Sequence, residues 1–258
     1  MKKIIGIVVL FVAFLSCSKE DRVNDPNNLS PASKSANQKG LGTSARDLLS
    51  EATFKSMVVE IVFVEGFEPS SISINNLVSF IEARTYKPNG VSVVKRSIPS
   101  TGKATYTNAE IIAIEEANRT KYNTSNQIAV WAFFADGESA SNTNSGVVLG
   151  TAYRNTSFVI YAKTIQGMSS SPFQPSRSLL ETTVITHEFG HLFGLTNLGT
   201  ALQSDHEDSA HAKHCEVETC LMYWASETGN GIGNMISGGA APKLDAQCIA
   251  DLQANGGK

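Results

Sequence analysis

The segment ITHEFGHLFGL (185–195) restricts this chain more than any other. His187 and His191 stand four apart with Glu188 beside the first, and on a helix residues i and i+4 share a face. Both imidazoles can then aim at one ion about 2 Å away. Glu188, roughly 100° around the axis, reaches a water on that ion rather than the ion itself. The flanks favour a helix from about Ser178 to Phe193. Ser178 and Glu181 have capping-box spacing, Leu180, Val184, Ile185, Phe189 and Leu192 supply apolar contacts, and Gly194 suits the left-handed residue that ends a helix. All five histidines (187, 191, 206, 211 and 214) fall in this part of the chain, a clustering that a solvated surface does not explain. The expected chemistry is hydrolysis at one zinc ion. Zinc lowers the pKa of its water, and Glu188 takes the proton as general base and passes it to the leaving amine.

Two histidines leave a third ligand to find. In the metzincin peptidases, which this segment resembles, it comes ten residues after the first histidine. Here that residue is Asn197, whose neutral amide is a poor zinc ligand. Downstream, HCEVETCLM (214–222) together with HEFGHLFGL resembles the archaemetzincin branch, which reads HExxHxxGxxH followed at once by Cys-x4-Cys-x-Met. The resemblance implies that an insertion splits the motif and carries the third ligand from 197 to His214. It also implies that Met222 forms a Met-turn packed beneath the metal. His206, flanked by Asp205, Glu207 and Asp208 as a possible outer shell, is the alternative third ligand, with His211 or none also open. The family pattern continues with a Cys-x-x-Cys that completes a structural zinc site, whereas this chain has only Cys248 there. One catalytic zinc and no second is therefore expected. Tyr223 is read as a packed aromatic. Cys215, Cys220 and Cys248 suggest one disulfide, either Cys215–Cys220 or one of these to Cys248.

Upstream, apolar β-branched runs alternate with amphipathic stripes. SMVVEIVFVEGF (56–67), GVSVVKRSI (90–98) and QIAVWAFFA (127–135) read as strands, as do GVVLGTAY (146–153) and TSFVIYAK (156–163). Ile74, Leu77, Val78 and Ile81 stripe a helix over 71–86, and Thr107 with Glu110 caps a second. The order β-α-β-α-β-β-β predicts an α/β fold, metzincin-like, with a mixed, mostly parallel sheet and an antiparallel member near its end. The active-site helix lies between an N-terminal subdomain (45–194) and an irregular C-terminal one (195–258), which ends in a helix over about 243–255. The resemblance further implies a cleft with an antiparallel edge strand at its rim, for which 146–155 is the candidate; a peptide would pair with that edge.

At the N-terminus, Lys2 and Lys3 precede an apolar run, Ile4 to Leu15, too short to span a bilayer. Ser16-Cys17 after it resembles a bacterial lipobox, so residues 1–17 are expected to be a signal peptide with Cys17 lipidated. An ordinary cleaved signal is the alternative. Residues 18–44 are polar, with no apolar period, and read as a flexible tether. A net charge of −3 without charge blocks leaves no footprint for nucleic acid. The expectation is an exported, membrane-anchored, monomeric zinc metalloendopeptidase whose partner is a protein or peptide substrate, displayed on the cell surface. The alternatives are a silent zinc-containing binding lipoprotein and a zinc amidase.

Overall fold

A computed structural model describes residues 31–144, 146–171, 174–229, 232–235 and 239–258. Cys17, the signal segment 1–17 and the start of the tether lie outside the described residues. The elements in order are α1 (Pro31–Ala36), α2 (Ala45–Leu49), β1 (Ser56–Val64), α3 (Ser71–Arg84), β2 (Val91–Ile98), β3 (Thr105–Tyr106), α4 (Asn108–Asn118), β4 (Gln127–Phe134), β5 (Glu138–Ser139), β6 (Gly150–Arg154), β7 (Ser157–Ile160), α5 (Ala162–Gly167), α6 (Arg177–Leu192), a 3₁₀ turn (Trp224–Glu227), α7 (Ile232–Met235) and α8 (Ala246–Ala254).

The main sheet runs β2-β1-β4-β7-β6. β1 pairs in parallel with β2 and β4, and β4 with β7; only β6 is antiparallel, against β7. The two-residue link between β6 and β7 leaves no room for a crossover, so reversal is forced. Side chains alternate between two cores. Val59 and Ile61 of β1, with Val130 and Phe134 of β4, meet Leu77 and Ile81 of α3 and Val184 and Phe189 of α6. Val62, Val64, Trp131 and Phe133 meet Ile111 of α4 on the other face. A sheet covered by helices on both faces explains why β1 and β4 read as continuous apolar runs.

Every residue of α6 from Leu180 to Leu192 is buried. Its N-cap is Ser176, which accepts from the Leu179 N–H, rather than Ser178. Glu181, expected to close a capping box, instead accepts from the Ser70 N–H at 2.8 Å and the Ser73 hydroxyl at 3.0 Å, and so ties α6 to α3. Gly190 lets the loop bearing Met222 lie against the helix: a Cβ there would stand 2.3 Å from Met222 Sδ. Gly194 ends the helix with φ +80°, a conformation that glycine adopts without the Cβ penalty.

The tether reading needs correction at its C-terminal end. Asn37 is fully buried, its amide donating to Asn123 Oδ1, the Ala129 carbonyl and Thr156 Oγ1 at 2.8–3.0 Å. Its Oδ1 accepts from the Asn123 N–H. Polar composition masked this docking because the anchor is an amide, not an apolar side chain.

Asn37→Ala removes these bonds and strands buried acceptors, so a loss of about 2–3 kcal/mol is expected in urea denaturation. Gly190→Ala sets a helix-propensity gain of about 1 kcal/mol against overpacking on Met222 of about 1–3 kcal/mol. Net destabilisation is expected in thermal melts; a stabilised variant would mean that Met222 yields freely.

Candidate metal centre

The exit from α6 explains how the interrupted motif closes. Thr196 and Lys213 pinch the neck of the intervening loop: the Thr196 hydroxyl donates to the Lys213 carbonyl at 3.1 Å, and Lys213 Nζ reaches the Asn197 carbonyl at 3.3 Å. Asn197 and Lys213 both take positive φ, +55° and +71°, turning the chain sharply at each side of the neck. Inside the neck the loop folds on itself, Glu207 accepting from the Lys213 N–H at 2.7 Å and from the Asn197 amide at 2.9 Å. A compact loop closed at its ends adds residues without displacing the flanking chain. His214 is thereby returned to the end of α6.

His187, His191 and His214 converge, with ring centroids 4.7–5.4 Å apart. Their Nδ1 atoms all face backbone carbonyls: Leu221 at 2.7 Å, Leu195 at 3.1 Å and Ala212 at 3.1 Å. A carbonyl only accepts, so each Nδ1 carries the proton and each Nε2 presents a lone pair inward. His187 Nε2 and His191 Nε2 stand 3.1 Å apart. Burial first, and then the adjoining His187 ring, push the His191 imidazole down to about 3, the neutral form that binds metals. Lone pairs gathered in a buried space repel one another unless a cation stands among them. The donor set fits zinc, which takes imidazole nitrogen and carboxylate oxygen.

Glu188 is fully buried, and neither carboxylate oxygen has a hydrogen-bond partner. A Cβ on Gly150, at the start of β6, would stand 2.5 Å from its Oε1, so that glycine makes room for the carboxylate beside the edge strand. Burial, followed by the nearby charge of Glu227, pushes the Glu188 carboxyl well above its usual range. Glu227 goes the other way. Its burial opposes ionisation, but the adjoining His187 and His214 rings outweigh it and hold the carboxyl well below its usual range. Two neighbouring carboxyls pushed in opposite directions divide acid from base roles.

His206 does not join this group. It is buried, its Nε2 2.8 Å from Asp251 Oδ2 on α8 and its Nδ1 3.4 Å from Cys215 Sγ. His211 stacks on Trp224 at 4.4 Å and bonds Asp208. Met222 is fully buried under α6 at Gly190.

The expected disulfide is not formed; Cys215, Cys220 and Cys248 are all free and buried. Together with Asp245 they form a second group whose donor atoms lie within 4.8 Å of one another and could hold a metal ion. Hydrogen bonds from Cys215 and then Cys248 pull the Cys220 thiol down to about 4. Backbone N–H groups of Met222 and Asp245 also point at its sulfur. Where the resemblance led one to seek a second cysteine, Asp245 places a carboxylate oxygen beside the three thiols. The signal was in the sequence: Asp245-x-x-Cys248 has the spacing of the Cys-x-x-Cys that the resemblance led one to seek. Glu227, by contrast, carried no sequence signal.

No family model matches this chain, and no curated protein matches it in sequence. Among solved structures, an archaemetzincin from Methanopyrus kandleri superposes with a TM-score of 0.52 at 17% identity, over 78% of this chain and 96% of that one. A metalloproteinase-II from Bacteroides fragilis matches over 80% of this chain and 55% of that one, at 12% identity and a TM-score of 0.42, too slight a superposition to argue from. The first likeness shows the fold: a mixed, mostly parallel α/β architecture like that of the archaemetzincin.

Proposed function

We propose that this protein is a zinc-dependent endopeptidase, with His187, His191 and His214 as metal ligands and Glu188 as catalytic base. One observation carries the reading: three buried Nε2 lone pairs converge beside a buried, unpartnered carboxylate. A structural metal needs ligands only, whereas a carboxylate buried at cost beside them serves chemistry. When bound, zinc would polarise a carbonyl and acidify a water.

The residues of the chain supply the remainder. Glu188, its affinity for protons raised by burial, accepts a proton from the attacking water and delivers it to the leaving amine. The Leu221, Leu195 and Ala212 carbonyls hold the three rings in the tautomer that leaves Nε2 free. β6 stands at the sheet edge next to Glu188, and its unpaired backbone suits an extended peptide added as another strand. That pairing reads backbone rather than side chains, which favours an endopeptidase. The Cys215, Cys220, Asp245 and Cys248 group would hold a second ion in a structural role, since it offers four protein donors and no base.

Cys17 is proposed as the lipidated anchor to a bacterial membrane, with residues 45–194 and 195–258 as two subdomains around the cleft. Among the described residues no helix is long and apolar enough to cross a membrane.

Casein hydrolysis and bound zinc, measured together, test the reading. Glu188→Gln is expected to keep its zinc while turnover falls by about 10²–10⁴-fold. His214→Ala is expected to lose the ion of the histidine group and all activity, and His206→Ala to keep that ion. Zinc-loaded protein whose turnover ignores Glu188 would sink the peptidase reading and favour a metal-containing binding protein.

A further inference from the structure

Glu227 stands where a hydrolytic zinc site ordinarily leaves room. Its Oε1 lies 3.3 Å from His214 Nε2, and its Oε2 lies 3.7 Å from His187 Nε2 and 3.9 Å from His191 Nε2. Zinc–donor distances near 2.0–2.2 Å set the edges of a tetrahedron at roughly 3.3–3.6 Å. The separations involving Glu227 and the 3.1 Å His187–His191 separation scatter around that value. The carboxylate is mostly buried and directed at the three nitrogens.

We propose that Glu227 is a fourth protein ligand to the metal, closing at rest the position a water would occupy. The inference rests on the metal reading of the three histidines and goes beyond it. Four protein ligands describe a closed site, while the buried carboxylate of Glu188 describes a reactive one. Both hold if Glu227 is exchangeable. Its backbone is fixed: the Leu149 N–H donates to the Glu227 carbonyl at 2.8 Å, and the Gly229 N–H to the Val147 carbonyl at 2.9 Å. Opening the position therefore requires only rotation of the Glu227 side chain. The same bonds join Glu227 to the residues leading into β6, so a peptide approaching that edge meets the segment that carries the ligand.

The test uses cobalt(II) in the purified protein and in Glu227→Gln, with azide as the probe of an open position. Intense sulfur-to-metal charge transfer follows the thiolate group; both groups contribute visible d–d bands, so the histidine group is followed by the change in the d–d region that leaves the charge transfer unaltered. In wild type the d–d bands are expected to ignore millimolar azide; in Glu227→Gln they shift on adding it. Chelator competition is expected to show at least about a tenfold weaker histidine-group affinity in the variant, since even outer-shell losses cost about 10–100-fold. The thiolate bands should be identical in the two proteins. Equal azide response and equal affinity would overturn the assignment of Glu227 and leave the three-histidine metal reading intact. Failure of the wild-type protein to take cobalt at the histidines would overturn both.

Discussion

Three imidazole rings, each held through its Nδ1 to the backbone carbonyl behind it, turn their Nε2 atoms toward one another in a mostly buried space. The remainder of the C-terminal half is organised around holding that arrangement. Leu221 is placed behind His187 by the chain that bears Met222, Leu195 behind His191 by the turn at Gly194, and Ala212 behind His214 by the neck of the loop. Nε2 lone pairs brought this close repel one another, and a cation among them would relieve that repulsion.

The two donor groups are adjacent in sequence. His214 serves one and Cys215 the other, and the loop before them is knitted to α8 through His206 and Asp251. The loop is thus held at both ends: at its neck by Thr196 and Lys213, and at its far side by Gln203, Ser204 and His206 on α8. A long excursion between two ligands would ordinarily loosen the second, because loop closure carries an entropic cost. Fastening the loop to the helix that also supplies Cys248 offsets that cost within the structure itself. His206, a plausible ligand by composition, is consumed in this fastening.

Helix α6, the five strands of the main sheet and the reversal at β6 and β7 were legible in the sequence, because each follows from a period of 3.6 or 2 or from a link too short to cross over, whereas the two-residue strands β3 and β5 were not. The His187, Glu188 and His191 constellation was legible for the same reason, since helical spacing fixes which side chains share a face. His214 and His206 were not separable by such rules. Asn37 and Glu227 were missed for a related reason: each acts through a polar side chain far from its partners in sequence, and local patterns are blind to such pairs. Asn37 docks a segment that composition alone marks as tether. Asp245 stands in for a sulfur donor. Glu227 lies on a one-turn 3₁₀ segment without periodicity.

What the sequence by itself determined is therefore local: which segments are helix or strand, and that one helix presents two imidazoles and a carboxylate in fixed relation. The tertiary structure decided which distant histidine returns to that helix, that three cysteines and an aspartate gather instead of pairing as a disulfide, and that a second carboxylate faces the ring of nitrogens. Spacing along a helix is set by the backbone hydrogen bonds of a single turn. Convergence across a loop is set by the closure of its neck and by the partners waiting on another helix, neither of which any stretch of neighbouring residues contains.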